Sequence, residues 1–442
     1  MGERLLWSVV VAVALGGCEP VEAPESAPRS QETELAGGDF VWTKHLGSSG
    51  SDQARAVAFD RDGNILALFN YQGSVDLGAG PVGSGNSNQF GLAVAKYTPA
   101  GALLWTRTFE GVLQPGQQTT VAAQGLTVDR ERNVIISGDA YQPVDLGEGV
   151  KPAGAFLLKL SKTGQFRWAR HFTGRVFPTD VVTDSQDAIA LTGSAWLTVD
   201  FGLGPNSSMV TDVQTAFLTK FNAAGTPQWT VREQWNLSGG SSVAVDEMDA
   251  FYFAGIQYPD PQVWKVAPTG TVAWTRALVG ASGGALGVAV HGNRVVAGGQ
   301  LNDAFTFAGQ DFPGPGSGKN AGFLVAWTRA GEERWAHSYP QPVGAVAMAE
   351  DDSVVVGGAS TAVDSSAGYT LFTARLERLQ GQQQWRRTYS STGRPYFTDV
   401  AVNKQGGFVG AGTFSGTLNL GTTAYVSRGF DDGFLFKGLT GP

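Results

Sequence analysis

Seven times the chain writes Gly, three residues, then Trp: at Gly38 and Trp42, Gly101 and Trp105, Gly164 and Trp168, Gly225 and Trp229, Gly270 and Trp274, Gly331 and Trp335, and Gly381 and Trp385. A unit that recurs at this spacing means a repeat architecture, in which each copy buries apolar surface against the next. The first full copy shows what the unit is. Residues 55–60 alternate Ala and Val with other residues, the turn Asp60-Arg61-Asp62-Gly63-Asn64 follows, and residues 65–69 are apolar throughout. After a long Gly-rich loop come a strand at 90–97, the turn Thr98-Pro99-Ala100-Gly101, and a strand at 103–109 that carries Trp105. Four short strands, a to d, bounded by turn residues and without helical period, are an all-β signature. Gly supplies the positive φ of the c–d turn. Trp then sets a large apolar plate on one face of strand d.

The other copies align on this frame. Strand b ends on Gly at Gly138, Gly193, Gly255, Gly298, Gly358 and Gly412, and strand c ends on a cation at Lys96, Lys159, Lys220, Lys265, Arg375 and Lys437. Four-stranded units that each offer a plate to a neighbour predict a β-propeller. The chain ends set the number of blades. The folded part opens on an orphan d strand at about 40–45 and finishes on a c strand at about 434–437, with no Trp strand after it. Pairing the two completes one blade. The expectation is a seven-bladed β-propeller of four-stranded antiparallel blades, closed by its two termini and free of open sheet edges.

With its Asp60/Gly63/Asn64 turn, its Val75-Asp76-Leu77-Gly78 segment and its Gly101/Trp105 pair, the unit resembles the β-propeller (SBBP) repeat of bacterial secreted and surface lipoproteins. The Val-Asp-Leu-Gly segment returns as Val144-Asp145-Leu146-Gly147, Val199-Asp200-Phe201-Gly202 and Leu418-Asn419-Leu420-Gly421. The fourth unit lacks it and the sixth keeps only Val363-Asp364. The resemblance covers residues 38–442 and implies a fold and a surface address; no catalytic residue comes with it.

The N-terminus has the form of a targeting segment. Arg4 precedes an apolar run over 5–15, too short to span a bilayer. The run ends Leu15-Gly16-Gly17-Cys18, which resembles a lipobox and implies cleavage after residue 17 and lipid on Cys18. Cys18 is the chain's only cysteine, so no intramolecular disulfide is available. Residues 18–37 hold Pro20, Pro24, Pro28 and five glutamates, a composition that does not fold and reads as a tether. Lipid anchoring in the bacterial outer membrane is the expected localisation, and an envelope protein or glycan the expected partner. The net charge of −8 argues against nucleic acid, whose phosphates require a basic surface.

Chemistry-bearing motifs are sparse. Gly78-Ala79-Gly80-Pro81-Val82-Gly83 spells a dinucleotide fingerprint, and residues 314–320 faintly spell a phosphate loop. Neither is followed by a helix. The Asp60 turn and its copies at Asp129, Asp184 and Asp246 provide oxygens for local turn bonding rather than a calcium loop. The four histidines stand at unrelated repeat positions, so no metal site and no cofactor is expected. Asp180 and Asp399 share one position on strand a, the innermost strand. Both are candidate channel-mouth carboxylates for acid–base work, or caps for neighbouring backbone.

The b–c segments are long in units one (70–89), two, three, five (299–321) and seven, and short in unit four (256–261). Variation on a rigid frame is where binding sites reside. A notch beside the fourth unit would be lined by Trp196, Trp235, Tyr258 and Asp260. The expected function is a lipid-anchored binding or scaffolding module. The alternative is an envelope-polymer hydrolase or lyase, or a quinoprotein-like enzyme, working on the propeller face.

Overall fold

A computed structural model describes residues 36–207, 213–233, 237–316, 320–360 and 368–441. Every regular element among them is a β-strand. Pairing follows the sequence repeats: within each, strands a, b, c and d form an antiparallel meander. The innermost strands are Gln53–Phe59, Thr119–Val128, the second half of Phe166–Thr183, Ser238–Val245, Gly283–His291, Val343–Met348 and Tyr396–Val402. Each touches the next in chain order, and the last touches the first. This closed circuit is a β-propeller. The b strands are deeply buried, as in Val134–Ala140, where every residue is inside. They are covered on both faces by neighbouring repeats, so they read as continuous apolar runs.

The termini meet as the two incomplete ends require. Phe40–Leu46 lies antiparallel to Asp432–Leu439, with Trp42 opposite Lys437 and His45 opposite Phe434. His45 Nε2 and Asp432 Oδ2, 2.5 Å apart, add a buried polar bond across this junction.

The Gly-x-x-x-Trp motif operates between repeats. The Trp of one repeat lies on the turn Gly of the next. A Cβ on Gly101 would stand 3.1 Å from the Trp42 ring, and one on Gly38 only 2.8 Å from Trp385. Both glycines have φ of +84°, so conformation and space each exclude a side chain. The indole N–H then donates to the same turn, Trp42 Nε1 to Pro99 O and Trp105 Nε1 to Lys162 O, both at 3.2 Å, and at the closure Trp385 Nε1 donates to Thr440 O at 2.9 Å. The cation two residues after Trp completes the grip, as Arg107 Nε does on Gly164 O at 2.8 Å and Arg170 Nε on Gly225 O at 2.9 Å.

The long Gly-rich loop expected at 70–89 is largely strand. Ile65–Asp76 and Pro81–Tyr97 run on past the repeat's edge as a hairpin, with Val75 opposite Val82. Period-2 pairing there is hidden by glycines, which carry no alternation of their own. The Val-Asp-Leu-Gly segments build such hairpins. Asp76 Oδ1 accepts from the N–H groups of Gly78 and Gly80, and Asp145 and Asp200 repeat the arrangement. The following Leu77, Leu146 and Phe201 are buried.

Candidate functional site

Every inner strand is interrupted at the same register by a β-bulge, whose extra residue is Arg55, Gln124, Thr179, Ser241, Leu286, Gly344 or Thr398. A bulge bends its strand and re-aims one side chain. All seven bulge residues line one axial cavity of about 90 Å³.

Asp180 and Asp399 each follow a bulge and line that cavity. Val57 N donates to Asp399 Oδ2 at 2.8 Å and Val400 N to Oδ1 at 2.7 Å. Val243 N and Ser242 Oγ donate to Asp180 Oδ2 at 2.9 and 3.0 Å, and Val181 N to Oδ1 at 2.8 Å. The preceding threonine completes each clasp: Thr398 Oγ1 donates to Ala54 O and Thr179 Oγ1 to Gly240 O, both at 3.0 Å. Each Thr-Asp pair therefore binds both a carbonyl and an N–H that flank the next repeat's bulge. Desolvation pushes Asp180 up to about 6 and Asp399 to about 7, with repulsion from Asp180 adding to the latter. The cavity's cation is Arg55, whose Nη2 donates to Gln124 Oε1 at 2.9 Å; Gln124 Nε2 in turn reaches Asp139 Oδ1 at 3.2 Å.

Three of the turn aspartates meet lysines, while Asp246 Oδ2 accepts from the Tyr252 hydroxyl at 3.0 Å and faces Arg329 Nε at 3.5 Å. Asp60 Oδ1 accepts from Asp62 N and Asn64 N, both at 2.9 Å, while Lys96 Nζ stands 2.7 Å from Oδ2. Lys159 with Asp129 and Lys220 with Asp184 repeat the pair at 2.8 Å. An ammonium fills the position where a bound cation would sit.

The notch residues are dispersed in their roles. The Trp196 ring carries the Arg175 guanidinium at 5.1 Å, and its Nε1 donates to Gln214 Oε1 at 3.1 Å. Asp260 Oδ1 accepts from Gly280 N at 2.9 Å. Tyr258, at the tip of the short b–c turn, is 67% exposed. Trp235 lies outside the described residues, as does Cys18.

No family model matches the chain, and no curated protein matches it. Among solved structures it is similar to the Pan2 WD40 domain of Neurospora crassa, at 10% identity and a TM-score of 0.48, covering 88% of this chain and 89% of that one. Quinohemoprotein alcohol dehydrogenase from Comamonas testosteroni is similar at 12% identity and 0.48, covering 91% of this chain and 76% of that one. Polysaccharide lyase Uly1 is similar at 11% and 0.45, covering 94% and 96%. Likeness at these levels transfers no activity.

A second cavity, of about 160 Å³, opens beside the axial one on the face of the d–a and b–c loops. It shares Leu286 and Gly344 with the axial cavity and is bounded by Arg394, Pro395 and Tyr396. The sequence reading missed it.

Proposed function

We propose that the chain is an exported, seven-bladed β-propeller that works as a binding or scaffolding module at the bacterial cell envelope, in the manner its SBBP-like repeat implies. Lipid on Cys18 would hold it to the outer membrane, with 18–37 as the tether. The observation that carries the binding reading is the contrast between axis and face. The axial carboxylates are tied to backbone donors of the next repeat. The loop face instead presents Tyr258 at 67%, Tyr141 at 60% and Tyr396 at 48% exposure. Exposed aromatics on a rigid frame are anchors for partners.

A second reading, an envelope-polymer hydrolase or lyase or a quinoprotein-like enzyme, draws on Asp180 and Asp399. Two carboxyls raised to about 6 and about 7 in one cavity have the proton affinity that acid–base work requires. Pull-down from solubilised envelope with a Cys18→Ala form as bait separates the two. A retained protein or glycan partner supports the module. Turnover of an envelope polymer that is lost in Asp180→Asn and Asp399→Asn, with no partner retained, reverses the ranking.

A further inference from the structure

We infer that the cavity over the sixth repeat is a receptor for the C-terminal carboxylate of a peptide chain whose last side chain is apolar. The inference rests on the binding-module reading and gives it a ligand class.

Three observations meet there. First, the walls are mostly apolar: Leu286, Pro342, Ala359, Pro395 and Phe397 surround the space, with Gln300 and Ser360 as the polar members. Such walls reward an apolar group and leave sugar hydroxyls without partners. Second, the volume is about 160 Å³, well below the roughly 300 Å³ at which drug-sized pockets begin. That suits one side chain rather than a chain of rings. Third, a cation stands at the rim. The Arg394 guanidinium lies 5.0 Å over the Tyr396 ring. It makes no ion pair or hydrogen bond among the described residues, whereas Arg375, Arg387 and Arg329 are all paired with carboxylates. A guanidinium that stands over an aromatic ring without a carboxylate partner has its donor fork free for a carboxylate, which it meets with two parallel bonds. Apolar pocket and free fork together match a terminal carboxylate with its own side chain alongside.

The placement follows from the fold. Tyr396 opens the inner strand of the seventh repeat with Arg394 two residues before it, and Leu286 is the bulge of the fifth. Between them the sixth repeat contributes Gly344, so no bulge side chain fills the gap.

The test uses the full-length protein and two fluorescein-labelled peptides of sequence Gly-Ser-Gly-Ser-Gly-Phe, one a free acid and one a C-terminal amide, titrated by anisotropy. The free acid is expected to bind about tenfold tighter than the amide, equivalent to ~1.4 kcal/mol. Arg394→Gln should bring the acid down to the level of the amide and leave the amide unchanged, and Arg394→Lys should fall between. Ala359→Leu, which fills the pocket, should weaken both. Equal binding of the two peptides, binding of neither, or an acid preference that survives Arg394→Gln overturns the inference. An envelope protein retained equally by wild type and Arg394→Gln in the pull-down also overturns it, while leaving the binding-module reading in place.

Discussion

Asp399 and Val57 stand 342 positions apart in the chain, and a 2.8 Å hydrogen bond from Val57 N to Asp399 Oδ2 joins them across the seam where the last repeat meets the first. Asp180 makes the same bond to Val243 N between the third and fourth repeats, at 2.9 Å. The two aspartates that repeat alignment singles out for chemistry thus do architectural work at the axis.

Removing the acceptor should expose its cost. Asp399→Ala leaves Val57 N without a partner in a closed space, a loss of about 1–3 kcal/mol. Asp180→Ala should lose a similar amount. Urea unfolding measures both as a lowered midpoint, and midpoints equal to wild type would remove the clasp from the account.

The same carboxyls should make stability depend on pH. Their folded values lie above the unfolded 3.8, at about 6 for Asp180 and about 7 for Asp399. Their contribution is therefore fully present below pH 3.8 and is lost as pH rises through 6 to 7. The fall in urea midpoint between acid and mildly alkaline pH should be shallower in Asp399→Asn than in wild type. Parallel slopes would contradict the assigned proton affinities.

Gly101 and Gly116 separate conformation from contact. Both have positive φ, +84° and +75°, but a Cβ at Gly116 meets nothing within 4 Å while one at Gly101 meets Trp42. Gly116→Ala should cost about 1 kcal/mol and Gly101→Ala about 2–3 kcal/mol, the excess being the inter-repeat contact. Thermal unfolding of the pair gives the difference directly, and equal losses would mean that the Trp plate yields freely.

Lys96→Met should be among the most damaging single changes, because it strands Asp60 in a buried site at a cost of about 3–5 kcal/mol. If an ammonium truly occupies the cation position, the wild-type melting temperature should be the same in calcium and in chelator. A rise with calcium in wild type would instead assign the turn to a metal.

The fold was readable wherever one residue type recurs in register. The Gly101 and Trp105 spacing yields the repeat, and the unmatched strands around Trp42 and Lys437 yield the closure. Turn aspartates and c-strand lysines were both visible as periodic residues. Their union was not read, although the end of strand a and the end of strand c flank the same end of strand b. The bulges left no sequence signal, since they arise from register between strands, and with them went the contents of the axial cavity. Loop length pointed to Tyr258 and the fourth repeat. The cavity over the sixth repeat, where the bulge residue is Gly344, was not legible from loop length.

The junction of Phe40–Leu46 with Asp432–Leu439 also orders events during synthesis. Phe40–Leu46 waits for Asp432–Leu439, so this seam of the ring stays open and its edges unpaired until the later strand has been made. Such long-range closure slows folding and prolongs exposure to aggregation, and a chain that stopped at residue 430 would hold nearly all of its core yet have nothing to shut it.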